Sequence, residues 1–352
     1  MKRITFETKS VQEIMKKIGY FYKPNKIDIL NCFKIMKDSF VVTDLENYIE
    51  LFPKIISIED TCDKVFYIDI KSFNSIIKDI KSNVFTLILN DDNVQIEIDN
   101  FMFSVDFITH IEKDTIITYS EEKIKIGVKE FLKAAEKVVY CSFERFEIAF
   151  KISANEIEIA GTDQGYRLAL AKISVENIEQ KEIYIPLKIV KGIIRLLKTE
   201  KEFSISWDER YFYLFLEDTK LKIKISDKKF PDYNRFIGIP ANVTTVTFYP
   251  DQLLNIIKNF KNAHIIFDAS DKLKITGYDP KTAKFKTLFE GELHAIIEGS
   301  PIKGHYNIDY IKDAISHNKT KEVSFIFENK ENPALWIYKN GVFESLIMPI
   351  RV

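Results

Sequence analysis

Three cysteines stand in the 352 residues, Cys32, Cys62 and Cys141, an odd number with no metal-ligand spacing. A disulfide-built scaffold and a cysteine zinc centre are thereby excluded, and the three read as reduced, small apolar residues of a cytoplasmic protein. Histidine is equally sparse: His110, His264, His294, His305 and His317 are dispersed and also lack ligand spacing. No apolar run approaches the roughly 20 residues needed to span a bilayer, so no membrane partner is expected. Met1-Lys2-Arg3, followed by Thr5, Glu7 and Lys9, offers no apolar signal segment. There is no Walker-type phosphate loop, because the glycines of 161–165 lead into a strand pattern rather than a helix. Acidic pairs such as Glu121-Glu122 and Asp91-Asp92 fall in turn-like segments, where solvation accounts for them. Neither catalysis, nor a cofactor, nor a metal is expected. A catalytic reading would need a cluster of strongly shifted pKa values in a deep pocket.

What the chain does have is repetition. A strand pattern runs straight into an amphipathic helix at 4–18, at 124–139 and at 246–260. Phe6 aligns with Ile126 and Phe248, and Val11 with Phe131 and Leu253, at offsets of 120 and then 122 residues. A second junction recurs at Tyr67-Ile68-Asp69, Tyr184-Ile185-Pro186 and His305-Tyr306-Asn307. Asp69 and Asn307 suit a helix start by capping, and Pro186 by its preset φ. Between the two helices each copy has a strand ending in an aspartate turn, at Asp44, Asp163 and Asp279, offset by 119 and 116 residues. A period this long is a whole domain copied rather than a solenoid unit. The domains expected are 1–118, 119–242 and 243–352, within the length prior of two or three. With 46% hydrophobic and 29% charged residues, each has the composition of a globular domain.

The net charge of −1 conceals a segregation. The six helix candidates, 8–18, 69–81, 129–140, 186–198, 250–262 and 307–319, carry +2, +1, +1, +4, +1 and 0, so +9 in the helices leaves −10 elsewhere. In 186–198, Ile189, Val190, Ile193, Ile194 and Leu197 form one apolar face, with Lys188, Lys191, Arg195 and Lys198 roughly opposite. Lys129, Lys133 and Lys137 make a second stripe at helical spacing. Lysines on an exposed face can serve only to keep it solvated. The sign bias between elements instead suits a phosphate backbone held by long ammonium side chains.

The remainder reads as short β-branched and aromatic strands: 40–42, 85–89, 94–98, 101–107, 147–152, 156–159, 203–207, 211–216, 220–225, 263–267, 272–275, 322–327 and 334–338. Turn residues such as those at 90–92, 217–218 and 339–341 bound them. Segments 112–123 and 238–245 read as connectors between copies. Each copy is then two βαβββ halves, an α+β layer with helices on one face of antiparallel sheet.

Three stretches resemble the bacterial β sliding clamp family, the processivity subunit (beta) of DNA polymerase III. Gly161-Thr162-Asp163-Gln164-Gly165-Tyr166-Arg167-Leu168-Ala169 is similar to its T-D-G-H-R-L-A segment, Lys229-Phe230-Pro231-Asp232-Tyr233-Asn234-Arg235 to F-P-D-Y-x-R, and Met348-Pro349-Ile350-Arg351-Val352 to the closing M-P-M-R-L. Thr43-Asp44-Leu45-Glu46 matches in the first copy. The resemblance implies three clamp domains per chain, a head-to-tail homodimer closing into a six-domain ring, and helices lining the hole. It implies sequence-independent, topological binding of double-stranded DNA. It further implies tethering of the replicative polymerase and clamp loader through a short linear peptide, in the cytoplasm at the nucleoid.

Carried over position by position, the peptide cleft comprises Ile148, Thr162, Gly165, Tyr166, Arg167, Leu168, Pro231, Arg235, Phe236, Tyr310, Ala334, Met348, Pro349, Ile350 and Arg351. A Met/Pro/Leu/Tyr wall accepts apolar side chains of an extended peptide, and Arg167, Arg235 and Arg351 are expected to hold its polar ones. DNA-facing candidates are Lys16, Lys17, Lys78, Lys133, Lys137, Lys188, Lys191, Arg195, Lys198, Lys258 and Lys261. The dimer contact is expected at Phe103 and Val105 and at Phe260, where the connection is shorter than the family's. Gln164 is inserted in the turn, Tyr166 replaces a histidine, and Ile350 and Val352 replace longer residues, so the cleft rim differs from the family's. The alternative role is a clamp-like paralogue, of mobile-element or phage type, that binds the same peptides outside chromosomal replication.

Overall fold

Helix α1 (Thr8–Ile18) buries Val11, Ile14, Met15 and Ile18, an i, i+3, i+4, i+7 stripe, and places Lys16 and Lys17 in its last turn, where they oppose the helix dipole. Helix α2 (Ile70–Ile77) buries Ile70, Phe73 and Ile77, and the Asp69 side chain caps it by accepting from Ser72 N at 2.6 Å. Helices α3 (Val128–Val139) and α4 (Leu187–Leu197) follow, then α5 (Pro250–Ile257), with proline at its first position, and α6 (Ile308–His317). Asn307 Oδ1 accepts from Asp309 N at 2.8 Å and caps α6, whereas Pro186 ends a strand and α4 starts one residue later.

Two helices are shorter than the apolar periodicity predicts. After Ile77 and Ile257 the chain tightens into turns, Ile80 N to Ile77 O at 3.3 Å and Phe260 N to Ile257 O at 3.1 Å, and Asn262 takes φ 54°. Lys78, Lys198, Lys258 and Lys261 therefore lie at or just past helix ends rather than within helices.

This computed structural model describes residues 1–36, 38–60, 65–90, 92–110, 117–121, 124–143, 145–176, 179–282, 286–317, 321–331, 333–339 and 342–350. Cys62, Asp91, Glu122, Asn340, Gly341, Arg351 and Val352, most of 112–123, and the side chains of His110, Arg235 and His317 lie outside that description. The chain forms two compact units, Met1–Lys129 with Gly192–Ile225 and Glu130–Lys191 with Ser226–Val352.

Among the described residues the strands form four antiparallel sheets. The first unit has a five-stranded sheet, in the order Ile55–Asp60, Lys2–Glu7, Val84–Leu89, Val94–Ile98, Phe101–Val105, and a nine-stranded sheet. The second has another nine-stranded sheet and a four-stranded one, in the order Thr287–Leu293, Leu273–Tyr278, His264–Ala269, Ile302–Asn307. Each nine-stranded sheet joins two copies of the repeat. Thr219–Lys224 lies antiparallel to Tyr48–Leu51, with Leu221 opposite Ile49, and Val342–Ile347 lies antiparallel to Arg167–Ser174, with Leu346 opposite Leu168.

The strand expected over 101–107 is two strands. Asp106 breaks it, accepting from Asp69 N at 2.9 Å and donating its own N–H to Ser72 Oγ at 3.3 Å. Phe101–Val105 thus edges the five-stranded sheet, while Phe107–His110 edges the nine-stranded one.

Helices and sheets bury aromatic cores. Phe6, Phe33, Phe40, Phe73 and Phe85 interlock in the first unit, and Phe248, Phe267, Tyr306, Phe325 and Phe327 in the second. Phe6 and Phe248, aligned by the repeat, open the two clusters. Each such ring contributes roughly 1.5–3 kcal/mol by burial. Cys32 and Cys141 are buried thiols, and burial first of all pushes their pKa values up to about 11 and about 12.

Candidate functional site

In the second unit the nine-stranded sheet has two apolar faces, because side chains alternate along its strands. Ile337 and Ile347 point to the helix side, while Trp336 and Leu346 join Ala149, Ala160, Leu168 and Leu170 on the other. That second face is covered by the segment 230–237, which the sheet pins down. Trp336 Nε1 donates to Phe236 O at 2.8 Å, and Tyr233 Oη donates to Glu158 Oε1 at 2.7 Å. Burial, then that bond to Glu158, hold the Tyr233 phenol far above its usual pKa, so it remains a donor through the alkaline range.

The turn after strand Glu156–Thr162 forms the other wall. Thr162 Oγ1 donates to Arg167 O at 2.6 Å and accepts from Gln164 N at 2.9 Å. Asp163 Oδ1 accepts from the amides of Gly165, Tyr166 and Arg167 at 3.3, 2.8 and 2.8 Å. Gln164, the inserted residue, takes the left-handed φ of 61° that closes this loop and turns Tyr166 outward, 54% exposed.

Arg167 Nε donates to Asp163 Oδ2 at 2.9 Å and Nη1 to Asp313 Oδ2 at 3.2 Å. Its guanidinium also lies 4.3 Å from the Tyr310 ring centre. Burial opposes its charge, but the hydrogen bond and charge of Asp163 outweigh that and raise its pKa. Arg167 is thus committed to partners within the fold. It shapes the wall, where sequence reasoning expected a group available to hold a peptide.

Between these walls lies a cavity of about 200 Å³. Of the expected cleft residues, Thr162, Gly165, Tyr166, Arg167, Leu168, Pro231, Phe236 and Met348 line it together. Gln164, expected at the rim, lines it as well, as do Phe230, Asp232, Tyr233 and Leu346, which were not among the expected cleft residues. Phe230 and Tyr233 sit within the quoted motif, and their aromatic bulk beside Pro231 was the available signal. Ala334, 6% exposed, belongs to the cluster on the cleft face, whereas Ile148, at 0%, lies beside Val138 on the helix side of the sheet. Tyr310 backs it, 6.3 Å from Tyr166 between ring centres. Met348 N donates to Tyr166 O at 2.7 Å, and beyond Pro349, Ile350 N donates to His305 O at 2.8 Å, which fastens the terminal segment beside the cleft. Arg235 falls in the short helical turn Asn234–Phe236.

The basic candidates divide into exposed and paired. In the first unit Lys16, Lys78, Arg195 and Lys198 are exposed, whereas Lys17 Nζ sits 2.6 Å from Asp218 and 3.3 Å from Glu200. In the second, Lys133, Lys188, Lys258 and Lys261 are exposed and Lys191 is half-buried. Lys137 pairs with the buried carboxylate of Glu344 at 2.7 Å. Lys17 and Lys137 are accordingly held in ion pairs, a burden on any phosphate role.

At the expected dimer contact, Phe101, Met102 and Phe103 are exposed by 67%, 47% and 39% on the edge strand, while Val105 is buried. Phe260 packs on Phe289 of the edge strand Thr287–Leu293, their ring centres 4.9 Å apart. Among the described residues no cluster of His, Cys, Asp or Glu is placed to hold a metal, and no helix is long and apolar enough to cross a membrane.

Comparison with known proteins gives a consistent picture. Residues 147–232 match the family model for the DNA polymerase III beta subunit, central domain. The beta sliding clamp of Chlamydia pneumoniae is 27% identical over 202 residues, and that of Pseudomonas putida 26% over 215. The matched regions take in 55% and 57% of this chain and 54% and 56% of those proteins, so the chain spans about half the length of the curated relatives it matches. The crystal structure of the DNA polymerase III beta subunit from Thermotoga maritima superposes with a TM-score of 0.86 at 20% identity, covering 100% of both chains. The resemblance read from three motifs is found independently by each comparison, and the fold is that of these clamps along the whole chain.

Proposed function

We propose, from a chain with the fold of bacterial β sliding clamps and their central-domain sequence, that this protein is a DNA sliding clamp. It encircles duplex DNA as a homodimeric ring and tethers the replicative polymerase, without catalysing a reaction itself. It meets its partners, the clamp loader included, through peptides seated in the 162–168/230–236/346–348 cleft. The three repeats 1–118, 119–242 and 243–352 are its clamp domains, and it works in the cytoplasm at the nucleoid.

One observation carries the reading. Each nine-stranded sheet is made where the fourth strand of one repeat pairs with the last strand of the next: Tyr48–Leu51 with Thr219–Lys224, then Arg167–Ser174 with Val342–Ile347. The third such pair would join Thr287–Leu293, the fourth strand of the third repeat, to Phe101–Val105, which ends the five-stranded sheet of the first repeat just before Asp106 sends the chain into the other sheet. Both are sheet edges, and their sheets have four and five strands, which together make another nine. An exposed, apolar edge strand invites pairing with another chain. Two copies joined head to tail satisfy both edges twice and close the circle, with Phe103 on one side and Phe260 behind the strand on the other.

Light scattering on the purified chain is expected to give twice the chain mass. Phe103→Asp, which sets a charge in that join, is expected to shift the particle to single chains at micromolar concentration. A single chain for the unaltered protein at every concentration tested would overturn the ring.

A further inference from the structure

We infer that the first unit carries a second docking groove, for a short extended peptide with acidic side chains, at the position that answers by internal repeat to the cleft of the second unit. The turn is built twice. Thr43 Oγ1 donates to Asn47 O at 2.8 Å and accepts from Leu45 N at 2.9 Å, as Thr162 does with Arg167 O and Gln164 N. Asp44 Oδ1 accepts from Asn47 N at 2.8 Å, as Asp163 does from the amides after it. Leu45 takes φ 78° where Gln164 takes φ 61°. A leucine held in the left-handed region and 62% exposed is costly on both counts, and such residues cluster at ligand sites. Beside each turn runs the strand contributed by the next repeat.

The groove this leaves is about 350 Å³, larger than the second-unit cleft of about 200 Å³. Leu30 and Val41 are buried at its floor, and Tyr48 and Tyr211 form a wall. Its chemistry departs from the other cleft at two facing positions, Tyr48 for Arg167 and Lys222 for Ile347. Tyr48 stands where the repeat puts Arg167, so the ion-paired Arg167–Asp163–Asp313 group has no counterpart here. The cation comes instead from Lys222, whose Nζ lies 4.4 Å from the Tyr211 ring centre and 5.9 Å from that of Tyr48, and donates to Thr118 O at 3.3 Å. The neighbouring carboxylates are each bonded elsewhere, though Asp208 also feels the charge of Lys222. Asp44 holds the turn amides, Glu46 pairs with Lys224 at 2.6 Å, and Asp208 accepts from Tyr213 Oη at 2.6 Å and from the amides of Arg210 and Tyr211 at 2.7 Å. An apolar floor takes alternate side chains of an extended strand, and the Lys222 ammonium takes a carboxylate between them.

The inference borrows from the peptide reading of the second-unit cleft, but its test is separate. Hydrogen exchange on the full chain is followed with an octapeptide alternating leucine and aspartate, its leucine–lysine counterpart, and a single-stranded oligonucleotide. The acidic peptide is expected to protect 43–48 and 211–222, and Lys222→Glu to weaken that binding at least tenfold. Lys222→Gln is expected to give a smaller loss of the same sign. No protection there, protection by the lysine peptide or the oligonucleotide alone, or indifference to both Lys222 variants would overturn the groove. Protection at 162–168 reports the other cleft independently, so its absence would count against that cleft and not against this groove.

Discussion

Replacing Lys188, Lys191, Arg195 and Lys198 with glutamate is expected to flatten the salt dependence of duplex binding by about 3 to 4 in log–log slope, since each lost phosphate contact removes roughly 0.9 of a released counterion. Between roughly 50 and 200 mM salt, the unaltered chain should then lose affinity about 100-fold more steeply than the variant. Binding at the lower salt should fall outright, because four repulsions replace four attractions. The fold should not suffer: Ile189, Val190, Ile193, Ile194 and Leu197 are all buried, whereas Lys188, Arg195 and Lys198 are exposed and Lys191 half-buried. Titration of a labelled duplex at several salt concentrations reads both quantities. An unchanged slope would mean that this stripe faces no phosphate.

Deleting residues 348–352 is the second large effect. Met348 lines the cavity and packs with the cluster of Leu168, Trp336 and Leu346. Its amide continues the antiparallel join through Tyr166 O. Removing a central apolar wall of this kind typically costs 2 kcal/mol or more of binding, about 30-fold or greater. Anisotropy with a labelled peptide from the replicative polymerase of the same cell should show that loss. Thermal unfolding should barely move, since the buried strand Val342–Ile347 remains. If stability fell together with binding, the segment would be structural and the cleft reading would lose its main wall.

The same physics explains what the sequence disclosed. Helix α4 was legible because an apolar face and a cationic face alternate at one period over three turns. A strand buried on both faces, Glu147–Ile152, was legible from its dense apolar run, and Val94–Ile98, buried on one face, from its alternation. Thr287–Leu293 and Ala295–Glu298 were not, since Glu290, Gly291 and Glu292 interrupt the first and both are largely exposed. An edge strand lacks the burial that writes an alternating pattern. The break at Asp106 was hidden because a strand changing sheets keeps its apolar character on either side.

At the site, motif spacing brought eight residues to one cavity. It did not disclose that Ile148 and Ala334 are buried, because burial depth is not encoded locally. The pairing of Arg167 was hidden for the related reason that Asp313 lies 146 residues away in sequence. Tyr233 was missed because its hydrogen bond to Glu158 spans 75 residues. Lys17 shows the limit of counting charges by element, since its partners Glu200 and Asp218 belong to another repeat.

The most direct test of encirclement is topological. The chain is loaded onto nicked circular DNA with the clamp loader and ATP from its own cells, separated from unbound protein by gel filtration, and the circle is then cut once. The account predicts that the protein travels with the closed circle and is released when the circle is linearised. Identical behaviour on the circular and the cut form would contradict it, because a ring is held by the continuity of the duplex and not by affinity for it.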